Sequence, residues 1–341
     1  MSHPCLPEPL PLVPGPRLGP FTPTAHAAIE FIEELGNPGQ DKDGRVWKVR
    51  IDGKPREYAL KMVSRSRGRP ARRKSPSTCI DNYTHLRSFF SNYQFDFNPT
   101  KFLREGISPG LVGRLALPQL YTDYFDPFSC ECRAYGRLKQ EGREDLAVRA
   151  HGYLLLTPQQ EAEIDRRASN AKYPSVDYRT TLDGQNMWSR CEEHRDLPVR
   201  AIVKTLVSPE DPFTTDHVSQ MWQDLEDLHR LGILVRDITV FNYIGGKLVD
   251  FSRALTTPHP FPGAMSRSTV DRLLGREPDR LHAAFVDWGM SRDWDWDVIP
   301  EDMLKCVMGE GDADTQGGPY GADPRQYDWR KWEKDPAAET A

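Results

Sequence analysis

Three residues past the middle of the chain have the types and spacing to do chemistry. Asp237 is followed five residues later by Asn242, and Asp250 stands eight residues further on. One aspartate can accept or orient a hydroxyl proton. An asparagine and a second aspartate can hold the metal ions that neutralise a nucleotide's phosphates, and phosphoryl transfer needs these parts. The spacing lets one loop and one short hairpin aim all three groups into a single cleft. Asp237 is the candidate base, and Asn242 and Asp250 are the candidate metal ligands.

The elements that must position them follow from the pattern around them. Residues 213–231 predict a helix, with Val218, Met221, Trp222, Leu225 and Leu228 on one apolar stripe and Gly232 ending it. Far upstream, Arg45–Ile51 alternates apolar and polar residues, as a half-buried strand does. Asp52-Gly53-Lys54 predicts a tight hairpin turn, and Tyr58–Val63 the return strand. Asp126-Pro127 has the signature of a helix start, continued by Phe128, Cys132, Tyr135 and Leu138 at helical spacing. Residues 147–156 and 199–207 are strand candidates, separated by a polar stretch at 157–198 read as an inserted loop.

Leu228-His229-Arg230-Leu231-Gly232-Ile233, Asp237, Asn242 and Asp250-Phe251-Ser252 together resemble the protein-kinase signature set. Tyr58-Ala59-Leu60-Lys61 resembles that family's V-A-I-K strand. Leu35-Gly36-Asn37-Pro38-Gly39 with Gly44-Arg45-Val46 resembles its glycine-rich loop, stretched by Gln40 to Asp43. The resemblance implies an α+β, protein-kinase-like two-lobed fold with a mainly β N-lobe and a shortened helical C-lobe. It implies ATP and Mg2+ as cofactors, with Lys61 paired to Glu131 and the nucleotide lined by Gly36, Gly39, Gly44, Val46, Ala59 and Lys61. Glu105 is the rival partner for Lys61, but Gly106 and Pro109 leave little room for a helix there.

Departures bear on activity. Val235 stands where the family has the His of H-R-D, Thr239 where it has a phosphate-neutralising Lys, and Ser252 where it has the Gly of D-F-G. Ile299-Pro300-Glu301 is a faint echo of A-P-E, placed late. The literal His194-Arg195-Asp196 lacks a following asparagine, and Asp287-Trp288-Gly289 lies too far from Asn242; both read as coincidences. The run from Phe125 through Leu138, then Val148 to Tyr153, is similar to a group of kinase-like proteins from filamentous fungi. That group is classed with an inner-kinetochore subunit of the Sim-four complex. The resemblance implies a nuclear protein with partners in a kinetochore-type complex. Two readings follow, an atypical kinase acting on Ser/Thr hydroxyls and a pseudokinase serving as a binding module.

Arg65 to Ser77 is basic and aperiodic. Its Arg67-Gly68-Arg69-Pro70 resembles an AT-hook, a peptide for the minor groove of A·T-rich DNA; the same residues would serve first as an import signal, and the bland alternative is a solvated basic loop. Cys130 and Cys132 read as two thiols on a helix rather than zinc ligands. The composition, 38% hydrophobic and 28% charged over 341 residues, supports one sizeable core. No apolar run is long enough for a membrane span and no secretory signal is read, so a nuclear or cytoplasmic protein without a membrane partner is expected. The expected layout is a flexible Pro-rich arm at 1–27, an N-lobe at 28–207 with a disordered basic insertion at 64–78, a C-lobe at 208–310 and a flexible tail at 311–341.

Overall fold

A computed structural model describes residues 10–22, 28–35, 44–53, 55–63, 123–124, 126–169, 197–208, 216–260, 267–292 and 322–333. Arg67, Gly68, Arg69 and Pro70 lie outside these residues, as do Gly36, Gly39, Glu105, His194 and Ile299-Pro300-Glu301. The order is that of an α+β protein, with a β-rich early part and helices later. The chain divides into two compact units. One gathers 23–126 and 154–201; the other gathers 1–22, 127–153 and 202–341.

The first unit is built on a meander. Strands β1 (Ile29–Leu35), β2 (Gly44–Ile51) and β3 (Glu57–Val63) lie side by side with β2 central, and both pairings are antiparallel. Alternation decides which side chains are buried. Trp47, Val49 and Ile51 are inside, and the ring of Phe31 meets that of Trp47 edge-on with centroids 5.9 Å apart. The opposite face is laced by charge, Arg50 and Lys48 both reaching Glu57 at 2.7 Å. Asp52 and Gly53 turn the hairpin at positive φ, as a D-G pair favours.

The expected polar loop at 157–198 begins instead as helix α2 (Pro158–Ser169). Its start is a reciprocal cap. The Gln160 amide donates to the Thr157 hydroxyl at 3.3 Å, while the Thr157 amide donates to the Gln160 side chain at 2.9 Å, with Pro158 in the first turn. Glu161 then accepts the Val199 amide at 2.9 Å, fixing the return of the chain. The polar composition concealed a helix that buries one side of itself through Ile164.

The second unit holds the long helices. Helix α1 (Pro127–Gln140) is buried from Pro127 to Leu138 and carries Cys130 and Cys132, both thiols and neither in a disulfide. Strands β4 (Ala150–Leu155) and β5 (Arg200–Thr205) are neighbours, and the division between units passes through both. Helix α3 (Asp216–Arg230) buries Val218, Met221, Leu225 and Leu228, as its stripe predicts, with Trp222 only half-buried. Two pairs of two-residue strands follow: β6 (Ile233–Leu234) with β9 (Leu255–Thr256), and β7 (Tyr243–Ile244) with β8 (Lys247–Leu248). Helix α4 (Arg267–Arg292) closes the set.

Two terminal expectations are corrected. Residues 10–22 of the expected flexible arm are packed as an extended strap, with Leu10, Leu18 and Phe21 buried. The Leu18 amide donates to the Cys132 carbonyl at 2.9 Å, the Phe21 amide to the Tyr153 carbonyl at 2.8 Å, and the Tyr153 amide to the Gly19 carbonyl at 3.1 Å. Proline richness predicts flexibility, yet an extended segment with apolar residues at intervals can lie along a helix. Residues 322–333 of the expected tail likewise form two short 3-10 turns packed on the second unit. The division also groups α1 with the residues around Asp237, whereas the sequence reading drew one boundary at 207/208.

Candidate functional site

The loop that carries Asp237 is held from below. α3 ends at Gly232, whose φ of +75 only glycine adopts cheaply. A Cβ there would also lie 3.0 Å from Tyr327 Cβ. Pairing of Ile233 with Thr256 sets the following residues beside the segment after Asp250. Arg236 then takes a positive φ of 68. That conformation is stabilised by Glu277 of α4, whose carboxylate accepts the Val235 amide at 3.2 Å and the Arg236 amide as well. The same carboxylate lies 2.8 Å from His229 Nε2, and Arg280 donates to the Arg236 carbonyl. Burial lowers the Arg236 guanidinium to about 10, with Arg253 and Arg280 pushing the same way.

The hairpin of β7 and β8 brings the two candidate metal ligands together. Gly245 and Gly246 turn it at positive φ, and Tyr243 pairs with Leu248. The Val249 amide donates to the Asn242 carbonyl at 2.8 Å, so Asn242 and Asp250 stand on adjoining segments. Asn242 Nδ2 donates to the Asp237 carbonyl at 2.7 Å, which leaves Oδ1 as its acceptor. Asp250 accepts the Ser252 amide at 2.6 Å, and Asp237 lies 3.5 Å from Arg253 Nε. One amide oxygen and one carboxylate on abutting segments suit a hard cation such as magnesium, and Asn242 and Asp250 would hold it. Among the described residues, no three His, Cys, Asp or Glu side chains group as a metal cage.

Lys204 is the residue that sequence reasoning missed. It leaves β5 and binds the Glu131 carboxylate of α1, both side chains being almost wholly buried. Its Nζ also donates to the Val249 carbonyl at 2.7 Å, one residue before Asp250, and lies 5.1 Å from the Tyr135 ring centroid. Tyr135 meets Phe251 edge-on at 5.1 Å. Burial raises the Tyr135 hydroxyl well above its usual pKa, and the carboxylates of Glu131 and Asp250 push it further. Thus α1, β5 and the Asp250 segment meet at one buried cation. The signal was available: Arg200 to Lys204 is an apolar strand with a lysine at its far end, and a buried lysine requires a partner.

The remaining candidates fall in the other unit. Lys61 is buried on β3, in register with Val46 on β2; Ala59 sits two residues before it, and Gly44 pairs with Val63. Four of the six expected nucleotide-lining residues therefore share one hairpin. Glu277 was also missed; it precedes Pro278, a helix breaker by type, yet Leu274, Leu281, Ala284 and Phe285 keep helical spacing and are all buried. Asp287-Trp288-Gly289 falls inside α4, so it forms no metal-binding turn, as its distance from Asn242 suggested.

The molecule is thus an α+β protein whose candidate site is a carboxylate-anchored loop followed by a ligand-bearing hairpin. Residues 6–255 match the family described as kinetochore Sim4 complex subunit FTA2, and the chain belongs to that family. No curated protein and no solved structure matches it. No helix among the described residues is long and apolar enough to cross a membrane.

Proposed function

We propose that this chain is a nuclear binding module of a kinetochore-type assembly, built on a protein-kinase-like two-lobed framework in which the phosphotransfer groups have become structural. Its family supports the assembly role. The order of three strands, a helix, two strands with helix α2 between them, a helix and a hairpin-bearing loop supports the framework. The observation that carries the reading is the Lys204–Glu131 pair. It ties α1 to the carbonyl before Asp250 through the chain's own groups, as a structural cross-link would. Thr239 in place of a lysine and Arg253 against Asp237 point the same way.

A second reading has its own observation. The abutting Asn242 and Asp250 suit magnesium, which would bring the phosphates of ATP with it. Thermal denaturation with increasing Mg-ATP separates the two, because a ligand of the native state raises the melting temperature by mass action. The binding-module reading expects at most a small shift and no phosphotransfer to Ser/Thr peptides. A large magnesium-dependent shift, abolished by Asp250→Ala and by Lys61→Ala, together with phosphotransfer abolished by Asp237→Asn, would replace it with the kinase reading.

A further inference from the structure

We propose that residues 323–332 are a tethered peptide ligand, and that the surface formed by Arg137, Glu141, Gly232 and Thr257 is a binding site for aromatic and basic peptides of this pattern. Its occupant in this chain is the chain's own C-terminal segment. The proposal concerns a surface apart from Asp237 and Asp250 and stands independently of the reading above.

The segment holds on by a few side chains, as a bound peptide does. Asp323-Pro324-Arg325-Gln326-Tyr327-Asp328-Trp329-Arg330-Lys331-Trp332 forms only two 3-10 turns, and within it Pro324 alone is fully buried. Glu141, at the end of α1, is its anchor. It accepts the Tyr327 hydroxyl, the Trp332 indole N–H at 2.6 Å and the Lys331 ammonium at 2.9 Å. The Trp332 indole N–H also lies 2.9 Å from the Tyr327 hydroxyl. The Thr257 hydroxyl donates to the Pro324 carbonyl at 2.9 Å. Gly232 admits the Tyr327 side chain, since any Cβ there would crowd it.

Arg137 indicates that the surface is a recognition site rather than ordinary core. It is 1% exposed, yet it makes one hydrogen bond, from Nη2 to the Thr257 carbonyl, and its Nε and Nη1 have no hydrogen-bond partner among the described residues. What covers it is the Tyr327 ring, 3.9 Å from the guanidinium carbon. A desolvated arginine under one aromatic ring is the chemistry of a binding hot spot. The Arg137, Glu141 and Gly232 positions lie in the stretch that matches the family, residues 6–255, whereas the segment lies beyond it.

The test uses the full chain and a fluorescent peptide of residues 322–333. Tyr327→Ala with Trp332→Ala in the chain should release the tethered copy, whose high effective concentration otherwise excludes competitors. The added peptide should then bind this variant at least about tenfold more tightly than the wild type, and adding Glu141→Lys should abolish the gain. In parallel, Glu141→Lys alone should speed trypsin cleavage after Arg330 and Lys331 several-fold in the otherwise wild-type chain. A folded double variant that binds the peptide no better than wild type, binding indifferent to Glu141→Lys, or unchanged trypsin cleavage would each overturn the proposal.

Discussion

Lys204 organises the site at the scale of single residues. Its ammonium is buried against the Glu131 carboxylate and the Val249 carbonyl, so loss of the carboxylate would leave a buried charge without its counter-ion. Breaking a buried pair from one side strands a charge and costs about 3–5 kcal/mol, whereas replacing both partners with apolar groups can be neutral. Lys204→Met should therefore lower stability by about that amount. Adding Glu131→Leu should restore most of it, as read from the urea midpoints of both variants and the pair. If Lys204→Met alone is neutral, the pair is not what holds α1 to the Asp250 segment. Asp237, Asn242 and Asp250 were legible because their spacing is dictated by one loop and one hairpin. Lys204 and Glu277 were not, because each acts across more than forty residues of sequence and only the fold brings its partner near.

At the scale of elements, strands and helices with clear periodicity could be read in advance. β2, β3, β4, β5, α1 and α3 all fall where alternation, the D-G turn or an apolar stripe placed them. Segments that are stabilised by docking could not. The strap at 10–22 crosses β4 at Gly152, where φ is +152 and a Cβ would lie 2.6 Å from Phe21 Cα and N. Gly152→Ala should cost more than about 2 kcal/mol, because backbone would have to move. Gly19→Ala, with nothing near its Cβ position, is the control and should be nearly neutral in the same thermal denaturation. The C-terminal segment should respond to pH. Burial tends to raise the Glu141 carboxyl, but the Tyr327 hydroxyl, Lys331 and Trp332 more than offset this and hold it below its ordinary 4.5. A depressed carboxyl stabilises above its unfolded pKa and loses that stabilisation as pH falls through its folded value. Trypsin protection of Arg330 and Lys331 in short, pre-acidified pulses should therefore weaken below about pH 4.5, and Glu141→Gln should remove that dependence.

The whole molecule combines a family assignment with a site whose parts are tied to each other. The sequence carried the family through α1 and β4, and the signature residues through the hairpin. It did not carry the C-terminal segment, whose few aromatic anchors have no period to read. The central claim is that the chain works by binding within its assembly and that Asp237 is not needed for chemistry. The most direct measurement replaces the chromosomal copy with Asp237→Asn and follows centromere localisation and growth, with protein level checked alongside. The account predicts localisation and growth indistinguishable from wild type. A variant present at normal level that fails as a deletion does would contradict it and restore phosphotransfer as the function.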